Sequence, residues 1–142
     1  MLQILLNNKV KFLVVGAYAM GVHGYPRATG DFDIWVEASI DNSKKICLSL
    51  AEFGAPLKGV SQDAFSTEGI VLQVGVPPRR IDIITKIDGV NFKQAYNDRE
   101  DVEIEDLKVP FISKDNLIKN KESTGRDKDK LDLKYLKKLT NK

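Results

Sequence analysis

The chain has 142 residues, 42% of them hydrophobic and 30% charged, a balance that suits one globular domain spanning 1–142 and excludes a disordered or collagen-like chain. The formal net charge is only +2, so no whole-molecule field argues for nucleic acid, and any such case must rest on local clustering. One cysteine (Cys47) and one histidine (His23) exclude an internal disulfide and any Cys- or His-rich metal centre.

The opening MLQILLNNKVKFLVV is interrupted by Asn7, Asn8, Lys9 and Lys11, which argues against a leader or membrane span and predicts a cytoplasmic chain. A short helix is expected over 1–8 and a buried strand over Phe12–Val15. Gly16 then turns the chain into a helix over Ala17–His23, and GYPRATG reads as a turn-rich loop. DFDIWV is the second strand, and Asp41 and Asn42 are candidate caps for a helix over 43–53. Strands are expected at Gly69–Gly75 and Arg80–Thr85, with Pro77 and Pro78 turning between them. A short helix at Phe92–Tyr96, strands at Val102–Ile104 and Lys108–Ile112, and helices over 114–123 and 127–139 complete the order. Such an order predicts an α+β domain, a mixed sheet with flanking helices.

The carboxylates carry the chemistry. Asp31 and Asp33 stand at i and i+2 of a strand, so both project from one face beside the apolar Ile34, Trp35 and Val36. That repulsion is costly unless a cation or a shared proton relieves it, and Mg2+ prefers such hard oxygen ligands. Asp82, flanked by Ile81 and Ile83, supplies a third acid. Together the three suit a two-metal phosphoryl-transfer site in which Asp82 serves the attacking hydroxyl. Taken singly, each has a plainer account: a turn residue, a solvent-facing strand residue, and a partner for Arg79 or Arg80. The strand–Gly16–helix turn exposes backbone N–H groups where a phosphate can sit, although tight packing alone also explains the glycine.

Several further residues have readings of their own. Arg27, beside Thr29, precedes the acids and is either a bidentate triphosphate ligand or a surface residue. His23 is expected to be satisfied by backbone, and Cys47 and Trp35 to be core. In the last helix Lys130, Lys134 and Lys138 recur every fourth residue, and Lys134, Lys137 and Lys138 read as a solvated face, beside an apolar stripe of Leu131, Tyr135 and Leu139 expected to dock on the core.

In order and wording, VVGAYAMGVHGYPRATGDFDIWVE, VGVPPRRIDIITKIDGVNF and LIKNKESTGRDKDKLDLKYL resemble the polymerase-beta-like nucleotidyltransferase superfamily. They resemble most its small bacterial and archaeal members related to abortive-infection-type toxins. The resemblance implies the nucleotidyltransferase fold and transfer of a nucleoside monophosphate from an NTP to a hydroxyl. It implies two Mg2+ ions on Asp31, Asp33 and Asp82, and a phosphate-binding turn at Gly16 and Ala17. Ala17 departs from the usual Gly-Ser or Gly-Gly, losing a hydroxyl but keeping the N–H. The tail match implies that Lys121 contacts the triphosphate, while Asp129 either orients that lysine or caps the last helix. The acceptor is left open among RNA (a tRNA end included), a protein hydroxyl and a small molecule. A second reading is a weak or inactive member serving as a partner-binding module, for example with an antitoxin-like protein. A third is an RNA-binding module resting on the lysine tail, which predicts steeply salt-dependent binding that survives loss of the acids.

Overall fold

The computed structural model describes residues 1–24, 31–76 and 80–140, with the side chains of 139 and 140 outside the described set. The expected element order is the observed one among these residues. It runs α1 (Leu2–Asn7), β1 (Phe12–Val15), α2 (Gly16–Val22), β2 (Asp31–Val36), α3 (Ile40–Phe53), β3 (Val71–Val74) and β4 (Arg80–Ile84). Then follow α4 (Phe92–Asn97), β5 (Glu100–Ile104), β6 (Leu107–Phe111), α5 (Lys114–Thr124) and α6 (Asp127–Thr140). The GYPRATG loop from Tyr25 onward and the Pro77–Pro78 turn lie outside the described residues.

The six strands form one sheet in the order β3-β4-β2-β1-β6-β5. The β2/β4 and β1/β6 pairs are parallel and the other three antiparallel, so the sheet is mixed. Its centre is the apolar run of β1, every residue of which is buried, flanked by Ile34, Trp35 and Val36 of β2. The strand alternation sorts the sheet into two faces. Phe32 meets Tyr18 of α2 edge-on on one face, with centroids 4.7 Å apart. On the other, Trp35 meets Phe92 of α4 at 5.0 Å. Trp35 is core as expected, but its indole Nε1 is buried without a hydrogen-bond partner.

Where boundaries differ from expectation, the backbone gives the reason. β3 stops short of Gly69 and Gly75, whose φ of +92° and +83° lie outside the β region. β5 and β6 close through Glu105 and Asp106, both at positive φ, the signature of a two-residue hairpin turn. α3 is capped not by Asp41 or Asn42 but by Ser39, whose hydroxyl accepts from the Asn42 N–H. The Asn42 side chain instead ties α3 to the start of β1, accepting from the Lys11 N–H and donating to the Lys11 carbonyl.

α6 departs furthest. Leu131 and Tyr135 are exposed, so the expected apolar stripe does not dock; the buried face is Asp129, Asp132 and Leu136, spaced i, i+3, i+7. Leu139 of the same stripe has its side chain outside the described residues. His23 donates from Nε2 to the Ile112 carbonyl at 2.7 Å, which agrees with a backbone-satisfied ring. Cys47 is half-buried rather than in the core, and burial first, then the charge of Asp63, pushes its thiol pKa up. No described helix is long and apolar enough to cross a membrane.

Candidate functional site

β2 and β4 run parallel in a register that sets Asp31 opposite Arg80 and Asp33 opposite Asp82. Neighbouring strands lie about 4.8 Å apart, so the two in-register carboxylates face each other at close range on one side of the sheet. Asp33 feels this: burial first, then the charges of Asp82 and Asp31, raise its pKa to about 6, against the pull of Lys128 and Arg80.

Arg80 is the local answer to the crowding. Its Nη2 donates to Asp31 Oδ2 at 2.7 Å and to Asp82 Oδ2 at 3.3 Å, while Nε stands 3.0 Å from Asp82 Oδ1. That last contact is close but badly angled, since neither Nε nor Oδ1 completes a hydrogen bond and both atoms are buried.

Gly16 ends β1 directly beneath Asp33. Its φ is +71°, and a Cβ placed there would stand 2.3 Å from Asp33 Oδ2. Both facts require glycine, and the clash shows that the turn forms the floor of the Asp33 site. Gly16→Ala is expected to destabilise the chain by about 1–2 kcal/mol from the backbone alone and to displace the Asp33 carboxylate. Urea denaturation checks the first effect. A normal melt with unchanged Asp33-dependent ligand binding would remove the second.

The three acids open onto a cavity of about 470 Å3, with Gly16 and Ala17 at one side. The rest of its wall carries Lys121 and Thr124 of α5, Arg126 in the α5–α6 turn and Lys128 of α6, with Asp88 and Asn120 beside them. The wall is held from behind. Lys121 is buried and donates to Asp129 at 3.0 Å, with Asp132 Oδ2 at 3.2 Å. Asp129, fully buried, also accepts from Arg126 Nε at 2.6 Å and from the Thr124 hydroxyl. Thus Asp129 holds Lys121 in place from the first turn of α6. Arg27 and Thr29 lie outside the described residues.

The sequence reading named Arg80 only as one alternative partner of Asp82, and it missed Lys128, Thr124 and Asp132. The i, i+3 spacing of Asp129 and Asp132 was the available signal, hidden because acids rarely mark a buried helix face.

Three carboxylates are a donor set of the kind Mg2+ takes. The buried, unsatisfied Asp82 Oδ1 and the crowded Asp33 carboxyl both mark a place where a cation lowers the energy. As the side chains stand, no three His, Cys, Asp or Glu among the described residues form a metal-holding group, and the Arg80 guanidinium lies between Asp31 and Asp82. A divalent cation at these acids would compete with the Arg80 guanidinium for their oxygens.

No family model and no curated protein matches the sequence. Among solved structures, the chain is similar to a protein of Thermotoga maritima described as a "putative nucleotidyltransferase". The TM-score is 0.61, with 99% of this chain and 88% of that chain covered, at 16% identity. The chain has the nucleotidyltransferase fold. At that identity the likeness is one of fold. Within the nucleotidyltransferase fold, the functional weight of Asp31, Asp33 and Asp82 rests on their own geometry.

Proposed function

We propose that the chain is a Mg2+-dependent nucleotidyltransferase, moving a nucleoside monophosphate from an NTP to an acceptor hydroxyl. The observation that carries this is the in-register pair Asp33 and Asp82, with Asp31 beside them, lining one cavity with Lys121, Arg126 and Lys128 in this fold. Asp31, Asp33 and Asp82 would hold two Mg2+ ions. When bound, these supply charge neutralisation of the triphosphate and a more acidic acceptor hydroxyl.

The chain's own groups do the rest. Arg126 and Lys128 attract the triphosphate, and the exposed Lys128 is near enough for its charge to act on Asp33. Lys121 directs two donors to Asp129 and Asp132, and its ammonium has a third to offer a phosphate oxygen. The backbone at Gly16 and Ala17 borders the cavity on the sheet side and is the proposed phosphate turn. The acceptor oxygen attacks the α-phosphorus, the bond to the β-phosphate oxygen breaks, and pyrophosphate leaves. Asp82 takes up the hydroxyl proton.

Titrating the chain with each NTP, with and without Mg2+, tests this. Binding is expected only with Mg2+, and Asp33→Asn is expected to weaken it at least about tenfold, the loss of one charge-assisted ligand. Equal binding by the Asn variant removes the reading. No binding of any NTP favours a partner-binding module instead.

A further inference from the structure

We propose that Arg80 is a tethered counter-ion of the metal site: its guanidinium neutralises Asp31 and Asp82 in the empty protein, and a divalent cation must displace it to bind. The inference rests on the metal-binding reading above and says how that site is guarded.

Three observations support it. Arg80 projects from β4 on the carboxylate face, two residues before Asp82 and opposite Asp31 in register, so its placement follows from the sheet itself. It touches both acids at once, at 2.7 Å and 3.0 Å, and is itself mostly buried, with 26% of its side chain exposed. Its hold on Asp82 is nevertheless poor. A two-pronged arginine–carboxylate pair makes two parallel, well-aligned bonds. Here one nitrogen is shared between two carboxylates, and the Nε–Oδ1 contact forms no hydrogen bond.

An arginine divided in this way relieves the repulsion enough for the empty site to fold, yet leaves Asp82 Oδ1 buried without a hydrogen bond. A dication offers the same oxygens twice the charge and radial coordination, so it can win the exchange. The exchange still costs the ion pairs that Arg80 makes, which lowers the apparent affinity for metal.

The test is calorimetric titration of the full-length chain with Mn2+ alone near neutral pH. The proteins are the parent, Arg80→Met, Arg80→Lys, Asp33→Asn and the Arg80→Met, Asp33→Asn double variant. Arg80→Met should bind Mn2+ about tenfold tighter than the parent, the expected gain from removing a competing, partly buried ion pair. The gain should vanish in the double variant. Without metal, Arg80→Met should melt below the parent, and Mn2+ should restore it. A purely structural arginine predicts the opposite affinity change, because its loss would disorder the acids.

Unchanged or weaker binding by Arg80→Met, alongside Asp33-dependent binding in the parent, overturns the counter-ion role and leaves the metal site standing. No Asp33-dependent binding in any protein overturns both. Should Arg80→Met fail to fold, Arg80→Lys decides. Its point charge cannot serve both acids, so tighter binding than the parent supports the proposal and equal or weaker binding overturns it.

Discussion

Lys121→Met will destabilise the chain by about 3–5 kcal/mol, the usual cost of removing one partner from a buried ion pair. Methionine keeps the length and apolar stem of lysine, so packing is nearly unchanged and the loss is electrostatic. What remains is two buried carboxylates, Asp129 and Asp132, with side chains 0% and 2% exposed, and no ammonium between them. The wild-type network is strong enough to overturn the effect of burial. Burial alone pushes the Asp129 pKa up, but hydrogen bonds from Thr124, Arg126 and Lys121 bring it down to about 2. A carboxyl lowered from 3.8 contributes stability that is fully present above about pH 4 and is lost as the pH falls toward 2. The variant's deficit should therefore be large near neutral pH and shrink on acidification, as its buried acids take up protons. Urea denaturation at neutral pH and near pH 4 reads both. A variant midpoint equal to the parent's at neutral pH would show that the network holds nothing.

The second large effect has the opposite sign. Asp33→Asn should stabilise the metal-free chain near neutral pH by about 1–2 kcal/mol. The Asp33 pKa is raised from 3.8 to about 6, so the folded state holds a proton that the unfolded state has already released. Stability falls as pH rises through that window, and the full penalty applies above about pH 6. A shift of that size corresponds to up to about 3 kcal/mol at 1.36 kcal/mol per pH unit. Partial solvent screening of a side chain that is not fully buried reduces it to the range given. Below about pH 4 the variant and parent should agree. Adding Mg2+ should reverse the order, because the cation stabilises only the protein that retains the carboxylate. Melts from about pH 4 to 8 in chelator, then in Mg2+, decide the matter. An Asn variant less stable than the parent in chelator at neutral pH would refute the strain.

Gain of stability on losing a functional group marks a place where the fold carries unfavourable energy for the sake of chemistry. That energy was legible at β2, where two acids at i and i+2 stand before an apolar run. The element order was legible for the same local reasons: β1 and β2 are dense apolar runs, and Gly16 marks a turn where φ turns positive. Strand pairing was not, because β4 joins β2 rather than its sequence neighbours alone, and no local pattern states a register. Arg80 became the partner of Asp31 only through that register. α6 misled because hydropathy weighs Leu131 and Tyr135 above Asp129 and Asp132, whereas burial here follows the partner that α5 offers. Ser39 was passed over because Asp41 and Asn42, equally good caps by type, stand close behind it.

The parallel pairing of β2 with β4 also fixes when the site can exist. Arg80 and Asp31 lie 49 residues apart in the chain, with α3 and β3 between them. Bringing them together closes a long loop, and that entropy must be spent before either contact repays it. A nascent chain that ends short of β4 has Asp31 and Asp33 but lacks both Arg80 and the third acid, Asp82. The carboxylate cluster is therefore a late product of folding, and its assembly reports that the crossover has closed.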